Sequence, residues 1–327
     1  MRKVAIIGQE GHFNYALESL AVRDDIELCA IAPGERNGDI GSLIRQTAKY
    51  SPHIYSDYHE LLQSELPDIA VINPMFCLTA RITMDCLKAG AHCFSEKPLA
   101  TEISDLDMLK QCHAQSRLAL CGMFGIKEEP WFIALNRAVA DGEIGEVRLI
   151  HGQKSYRMGT RPEFYSHREL FGGIIPWVAI HAVDWVMSVG GRCTRVAASH
   201  STYANRGNGD MEVTSAMLMD MENGAIATVT ADYLRPTASA RHDDDRLRVT
   251  GTRGMIEAID GRVYLENDLP KRELELPPRE IYFSRFIDAI DAGMTDELAR
   301  EALAATRVCL LARESADVGA RMDVCPE

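Results

Sequence analysis

Lys97 is the residue of this sequence best placed to act on a bound molecule. It follows the apolar segment His92–Ser95, and open α/β sheets bind ligands at the carboxyl ends of such strands. An ammonium beside a hydroxyl can stabilise the alkoxide that develops there, and burial lowers its pKa toward the range useful for acid–base work. Glu96 could orient the ammonium, and Pro98 fixes the backbone, with a cis peptide as one option. An exposed lysine before a turn is the alternative.

A glycine-containing turn near the N-terminus could bind a phosphate group. Gly8 ends the first apolar run, and Glu10, Gly11, His12 and Phe13 lead into a predicted helix. The amides at such a helix N-terminus can meet the pyrophosphate of a dinucleotide. The spacing is imperfect, because Glu10 stands where the second glycine is expected and Gly11 comes one residue late. A simple strand-to-helix turn is the alternative.

The end of the second predicted strand bears on which dinucleotide would bind. The carboxylate expected there for the ribose hydroxyls is missing, and Glu35 and Arg36 follow within reach. Glu35 would favour NAD, whereas Arg36 would favour the 2′-phosphate of NADP. Both could instead be solvent-exposed loop charges, and the sequence does not decide between these readings.

The first third of the chain alternates apolar strands with amphipathic helices, which predicts a doubly wound parallel sheet. The predicted strands are Val4–Ile7, Ile26–Ala32, Ile69–Ile72, His92–Ser95 and Leu118–Cys121. The predicted helices are Asn14–Val22, Ile40–Ala48, Asp57–Ser64, Thr79–Ala89 and Ile103–Ser116. Asp57 is the predicted N-cap of the third helix, and Thr101 or Ser104 that of the fifth.

Beyond residue 122 the pattern changes to long alternating runs with glycine turns, which predicts an α+β region with a large, mostly antiparallel sheet. The predicted strands are Glu146–Tyr156, Thr194–Thr202, Glu212–Met221, Ala225–Tyr233, Arg246–Thr250 and Met255–Ala258. The predicted helices are Trp131–Asp141, Gly173–Val189, Ile281–Ala292 and Thr295–Glu314. We expect Asn205–Asp210 and His242–Asp245 to be disordered or exposed.

The segments around Lys97 resemble those of the Gfo/Idh/MocA family of oxidoreductases. The resemblance rests on His92–Ala100, which contains Glu-Lys-Pro, and extends to Asp68–Pro74 before it. It continues in Asp141–Val147, similar to the family's linker into its second domain, and in Gly172–Trp185. It implies a dinucleotide-binding Rossmann domain over residues 1–122 and an α+β domain for substrate binding and oligomerisation over residues 123–327.

The resemblance further implies an enzyme that transfers a hydride between NAD or NADP and a sugar, inositol or similar polyol. Lys97 and His181 would be its catalytic residues, with His181 shuttling the proton of the substrate hydroxyl. Trp177 stands four residues before His181, where the family has an acid, and could wall the pocket or stack on a sugar ring. We interpret Asp184 as a helix-face carboxylate that pairs with a neighbour. The residues expected beside the nicotinamide are Asn73, Pro74, Glu96, Lys97 and Pro98. The residues expected to contact substrate are Tyr156, Arg157, Arg161, Lys97, Trp177 and His181.

Composition narrows the partners and the compartment. The net charge of −13 opposes binding to a phosphate backbone, so the expected partner is a small molecule rather than nucleic acid. The nine cysteines lack CxxC spacing, which favours reduced cytoplasmic thiols over disulfides or a metal site. We find no apolar stretch near the length of ~20 residues that spans a membrane. A large sheet with one open face predicts a homodimer or homotetramer.

Two other functions remain compatible with these residues. The irregular glycine turn and Trp177 suit a dinucleotide-binding regulatory protein that has lost turnover. An enzyme that holds NAD tightly could also use transient oxidation for epimerisation or glycoside cleavage.

Overall fold

The chain divides into two compact units in a computed structural model that describes residues 1–294 and 296–324. The first unit comprises Met1–Gly125 and Ile281–Leu303, and the second comprises Ile126–Glu280 and the chain from Ala304 onward. The sequence places a single boundary at residue 122, close to the first of these breaks. Residues 281–303, however, pack with the first unit.

A parallel sheet of six strands forms the centre of the first unit, in the order β3-β2-β1-β4-β5-β6. The strands are β1 (Arg2–Ile7), β2 (Ile26–Ala32), β3 (His53–Ile54), β4 (Ile69–Ile72), β5 (His92–Ser95) and β6 (Leu120–Gly122). The helices are α1 (Asn14–Leu20), α2 (Gly41–Thr47), α3 (Tyr58–Glu65), α4 (Thr79–Lys88) and α5 (Ile103–Ser116). Every residue of β4 is fully buried, as expected of a strand covered on both faces. The predicted doubly wound sheet is confirmed.

The sequence predicts the limits of several strands and of one helix of this unit correctly. The predicted limits of β2, β4, β5 and α5 are the observed ones. Asp57 caps α3, because its carboxylate accepts a hydrogen bond from the His59 amide at 2.9 Å. The predicted caps of α5 are wrong, because the N-cap residue is Glu102, whose side chain makes no capping hydrogen bond.

The second unit is built on a sheet of nine strands, in the order β14-β13-β12-β11-β7-β10-β9-β8-β15. All neighbouring pairs are antiparallel except β7 and β10. The remaining helices are α6 (Pro130–Ala140), α7 (Arg168–Phe171), α8 (Ile180–Gly190), α9 (Tyr282–Asp291) and α10 (Asp296–Val318). The strands are β7 (Val147–Tyr156), β8 (Cys193–Ser201), β9 (Thr214–Met221), β10 (Ile226–Asp232), β11 (Asp243–Gly251), β12 (Met255–Ile259), β13 (Arg262–Glu266), β14 (Arg272–Glu273) and β15 (Met322–Asp323). The mostly antiparallel sheet is therefore confirmed, and Thr295, the predicted start of α10, lies outside the described residues.

Helix α8 packs on one face of this sheet and is preceded by one π-helical turn, Ile175–Ala179. Gly152 of β7 permits a close approach, since a Cβ there would lie 3.3 Å from the Ala182 Cβ and 3.4 Å from a Val186 methyl. The helix is buried on nearly all sides, which explains its continuous apolar sequence.

Contrary to the expectation from sequence, one stretch has the length and apolar composition of a membrane span. It is Arg168–Gly190, and 89% of its apolar window is buried inside the protein. Such burial is typical of a core helix packed against a sheet, which is how α8 lies.

Helix α9 belongs to the first unit because its aromatic face covers Phe94 of β5. The rings of Tyr282, Phe283 and Phe286 lie 5.0–5.4 Å from the Phe94 ring. The Tyr282 hydroxyl also donates to the Gly122 carbonyl at 2.7 Å. The amphipathic sequence of α9 predicts that one face of the helix is buried, but it does not predict which part of the protein covers that face.

The expectation that His242–Asp245 is disordered or exposed holds for His242, which is exposed, and is wrong for Asp243–Asp245. Asp243–Gly251 is strand β11, and Asp245 is buried. The acidic run Asp243–Asp245 looks like an exposed loop in the sequence. In the structure, however, the Asp245 carboxylate points into the protein and contacts the buried ammonium of Lys154.

Candidate active site

The Glu96 carboxylate organises the glycine turn of the first unit. Its side chain is fully buried and accepts hydrogen bonds from the His12 amide at 2.6 Å and from the His12 ring Nδ1 at 3.0 Å. It also accepts from Asn73 Nδ2 at 3.2 Å and from the Lys97 amide at 3.0 Å. One carboxylate therefore connects the turn after β1 with the segments that follow β4 and β5.

The two glycines of the turn are required by close approach of other backbone and side-chain atoms. Gly8 and Gly11 have φ of +85° and +70°. A Cβ on Gly8 would lie 2.1 Å from the Asn73 carbonyl oxygen, and one on Gly11 would lie 1.9 Å from a Glu96 carboxylate oxygen. The glycine spacing that looks irregular in the sequence is therefore explained by two close contacts, of Gly8 with the Asn73 carbonyl and of Gly11 with the Glu96 carboxylate.

Asn73 holds the other side of the turn. Its carbonyl accepts from the Glu10 amide at 2.8 Å, and its Nδ2 donates to the Glu10 carbonyl at 2.7 Å. All the contacts of Nδ2 are with acceptors, which fixes the orientation of the amide. Pro74 follows, buried, and packs so tightly on Gly34 that a Cβ there would lie 2.6 Å from the Pro74 ring.

The first unit retains polar groups that suit a dinucleotide. Among residues 1–294 and 296–324, the buried Asn73 Oδ1 has no hydrogen-bond partner. Within the same described part of the chain, the amides of Phe13 and Asn14 at the start of α1 donate to no protein oxygen. An open amide pair at a helix start and an orphaned acceptor after β4 fit a pyrophosphate and a carboxamide, respectively. The residues present therefore fit the cofactor.

Charges around this turn are mostly negative. Burial raises the pKa of the Glu10 carboxyl, and the charges of Asp39 and Glu96 raise it further. Glu35 and Arg36 are both exposed, and Arg36 Nε lies 3.9 Å from an Asp57 carboxylate oxygen. The Arg36 guanidinium is thus accompanied by the Asp57 carboxylate.

Lys97 is fully buried directly after β5. The Lys97–Pro98 peptide is cis, the option that the sequence left open. The exposed lysine offered as the alternative is therefore wrong. Because the Lys97 ammonium is buried, a polar or charged molecule bound beside it would strongly affect whether it carries a proton.

His181 and Trp177 lie in the buried helical segment of the second unit. His181 is 1% exposed and Trp177 is 6% exposed. The Trp177 ring meets the Tyr165 ring edge to face, with 6.3 Å between centroids. Asp184 lies one turn after His181, and Lys127 Nζ is 3.1 Å from its carboxylate, as expected of a paired helix-face acid.

The predicted substrate residues Tyr156 and Arg161 lie in one cluster of aromatic and cationic side chains. Tyr156 stacks on His242 at 4.9 Å and on Tyr233 at 6.2 Å. The Arg161 guanidinium lies 4.6 Å from the Tyr233 ring centroid and 5.6 Å from that of Tyr165. Arg157 lies at the end of β7 and donates to the Ser239 carbonyl at 3.4 Å. Tyr165 connects the cluster to Trp177.

Sequence reasoning missed Tyr233, His242 and the partner of Lys154. Lys154 Nζ lies 2.6 Å from both carboxylate oxygens of Asp245, and both residues are buried. Burial raises the pKa of Asp245 to about 6, while the Lys154 charge opposes the rise. The signal available in the sequence was a lysine at an inward-facing position of an alternating strand, in phase with Ile150 and Gly152. A buried ammonium requires a counter-charge from elsewhere in the chain.

Two models of protein families match this chain, one in each of its two units. Residues 2–122 match a family described as an oxidoreductase family with an NAD-binding Rossmann fold, and residues 132–257 match the GFO/IDH/MocA C-terminal domain. A solved Thermotoga maritima protein, described provisionally as an oxidoreductase, is 37% identical over 98% of this chain and 100% of that chain, with a TM-score of 0.94.

Two curated relatives illustrate the activities assigned among similar proteins. A myo-inositol 2-dehydrogenase of Thermotoga maritima is 25% identical over 62% of this chain and 60% of its own length. Glycosyl hydrolase family 109 protein 2 of Akkermansia muciniphila is 27% identical over 62% of this chain and 47% of its own length. The chain thus spans about half the length of the curated relatives it matches.

Proposed function

Because the chain belongs to the Gfo/Idh/MocA family of oxidoreductases, we propose that it is a cytoplasmic NAD-dependent dehydrogenase acting on the CH–OH group of a sugar, inositol or similar polyol. The observation that carries this proposal is Lys97. It is fully buried at the carboxyl end of β5, and its neighbour Glu96 is bonded to the glycine turn. A group that polarises a hydroxyl is thereby coupled to the residues that hold the cofactor.

The cofactor would be held by this chain's glycine turn and by the segments after β4 and β5. The turn residues Gly8, Glu10, Gly11, His12 and Phe13 would receive the pyrophosphate, and Asn73, Pro74 and Glu96–Pro98 would lie beside the nicotinamide. When bound, the nicotinamide accepts or gives the hydride. We favour NAD over NADP because the Asp57 carboxylate lies 3.9 Å from Arg36 and would compete with a 2′-phosphate for its guanidinium.

Two side chains would act on the substrate hydroxyl. Lys97 would bind the reacting oxygen and stabilise its developing charge, and His181 would carry the proton. Trp177 stands where the family has an acid, so either another group would orient the imidazole or the proton would follow a different path. Asp184 is not a simple replacement, because it pairs with Lys127.

Titration and turnover test the proposal together. Calorimetric titration with NADH and with NADPH should show tighter binding of NADH. Turnover is followed as formation of reduced nicotinamide with a panel of inositols and sugars. The Lys97→Met variant should lose at least ~100-fold in kcat/KM while still binding NADH. Lys88→Met, an exposed lysine on α4, is the matched control and should behave as the wild type. Near-normal turnover by Lys97→Met would remove Lys97 from the mechanism.

A second candidate is transient oxidation by a tightly held cofactor, as in glycoside cleavage or epimerisation. The likeness to a protein named as a glycosyl hydrolase favours it. This candidate predicts nicotinamide absorbance in the purified protein and product formation without net reduction of added NAD. A regulatory protein without turnover predicts dinucleotide binding and no product with any polyol.

The assembly we propose is a homodimer or homotetramer formed through the face of the large sheet opposite α8. Leu149, Leu218 and Ile226 on that face are 38–47% exposed, and Ile226 is the register partner of Leu149. Light scattering of the purified chain gives the oligomer mass directly.

A further inference from the structure

We propose that Arg161 binds a carboxylate of the substrate, so that the substrate is an acidic sugar such as a uronate or aldonate. This inference rests on the proposed function and specifies its substrate class. It concerns the charged group that recognises the substrate, and the cofactor plays no part in it.

The guanidinium of Arg161 is held in place by aromatic rings rather than by an acid. Its carbon lies 4.6 Å from the Tyr233 ring centroid and 5.6 Å from that of Tyr165. Nη2 donates to the Arg157 carbonyl at 3.0 Å. These contacts fix the plane of the guanidinium and leave most of its five N–H donors available.

Arg161 lacks the counter-charge that Lys154 and Arg168 of the same unit have. Across residues 1–294 and 296–324, no carboxylate lies within 4.0 Å of Arg161, and its buried Nε has no hydrogen-bond partner. By contrast, Lys154 is paired with Asp245, and Arg168 donates to Asp317 at 2.6 and 2.8 Å. In a chain with 48 acidic residues, a restrained guanidinium without an acid is an open position for an anion.

The surroundings of Arg161 are also electropositive. Burial lowers the pKa of His242, and the charges of Arg161, Arg157 and Lys154 lower it further. Asp243 and Asp245 offset part of this charge, and both of them face Lys154. A ligand with a negative charge would be attracted to the part of the cluster that these acids do not neutralise.

The remaining residues of the cluster suit the ring of a sugar. Tyr165 connects Arg161 to Trp177, and Trp177 lies one helical turn before His181. Flat aromatic faces pack against the C–H groups of a pyranose, and a planar guanidinium matches a carboxylate bidentately. The aromatic rings and the guanidinium together form a site suited to a sugar that carries a carboxylate. A phosphate ester is the other anion that a guanidinium binds, and the experiment separates the two.

The test compares three probes on the protein with saturating NADH: D-glucuronate, D-glucose and D-glucose 6-phosphate. Calorimetry should show that glucuronate binds at least ~10-fold more tightly than glucose or glucose 6-phosphate. Arg161→Gln should weaken glucuronate binding about 10- to 100-fold and remove most of the preference for glucuronate over glucose. Arg161→Lys should recover only part of the loss, since an ammonium lacks the planar fork. Arg248→Gln, an exposed arginine on β11, is the control and should not alter binding.

The possible results separate this inference from the proposed function. Equal binding of glucuronate and glucose, absence of glucuronate binding, or preference for the phosphate ester would each overturn the inference, whether or not neutral polyols are oxidised. Arginine-dependent glucuronate binding without any hydride transfer would support the inference and count against the dehydrogenase. If Arg161→Gln does not fold, the wild type suffices: rising salt should weaken glucuronate binding and not glucose binding, and a salt-independent preference would overturn the inference.

Discussion

Replacing Glu96 by glutamine should break the glycine turn and with it the binding of the dinucleotide. The side chain is fully buried and accepts four hydrogen bonds, from the His12 amide, the His12 ring, Asn73 Nδ2 and the Lys97 amide. Glutamine has nearly the same shape but keeps one acceptor oxygen and brings an NH2 group against donors. A hydrogen bond to a charged group contributes about 1.5–3 kcal/mol, so the loss of one or two gives a cost of about 3 kcal/mol.

That cost should be seen in two measurements. Urea unfolding should show a free energy of unfolding lower by about 3 kcal/mol, and NADH titration should show an affinity at least ~10-fold lower. Glu27→Gln is the matched control, because Glu27 is exposed on β2 of the same sheet, and it should change the unfolding free energy by less than about 0.5 kcal/mol. Wild-type stability and wild-type NADH affinity in Glu96→Gln would refute the role assigned to the carboxylate.

Three further predictions concern Glu10, the Lys154–Asp245 pair and Gly152. Glu10 lies in the turn proposed to receive the pyrophosphate, so its ionised carboxylate would repel the phosphates, and burial together with Asp39 and Glu96 raises its pKa. NADH affinity should therefore fall as the pH rises through this raised pKa. Glu10→Gln should bind NADH severalfold more tightly at neutral pH and with a weaker pH dependence, which calorimetric titration at several pH values measures. Lys154→Met should destabilise the protein by about 3–5 kcal/mol at neutral pH, because it leaves the Asp245 carboxylate buried and unpaired. The pKa of Asp245 is about 6 with Lys154 present, and removal of the lysine charge raises it further. The destabilisation should therefore shrink as the pH is lowered from neutral toward about 6, because the unpaired carboxyl of the variant takes up a proton in that range. Urea unfolding at several pH values measures it, and a pH-independent loss would contradict the assignment. Gly152→Val should lower the thermal midpoint by the equivalent of about 1–3 kcal/mol, because the valine side chain would press against Ala182 of α8. A variant as stable as the wild type would show that α8 can move away from the sheet.

Much of the first unit could be predicted because its strands are buried on both faces and therefore appear as continuous apolar runs. The strand His53–Ile54 escaped prediction for the opposite reason: it has only two residues, both exposed, and no run of apolar residues marks it. The turn residues, Lys97 and the Asp57 cap could be placed because each is determined by neighbours in the sequence. Glu96 was expected to orient Lys97, and its bonds to His12 and Asn73 could not be foreseen, since they join segments 23 and 84 residues apart.

The second unit was predicted less completely, because its important pairs are distant along the chain. Lys154 and Asp245 are 91 residues apart and meet only because β7 and β11 are neighbours in the sheet. The acidic run at 243–245 looks like an exposed loop until that pairing is known. Arg161 could be named as a candidate from its type and position, but the absence of an acid beside it is a property of the folded chain.

The most direct test of the central claim is the reduction of NAD by the purified wild-type protein supplied in turn with inositols, neutral sugars and sugar acids. Reduced nicotinamide should accumulate with at least one of these polyols, and Lys97→Met, which should still bind NADH, should form none at a comparable rate. Product formation without net reduction of NAD, or NADH binding without any turnover across the whole panel, would contradict the dehydrogenase.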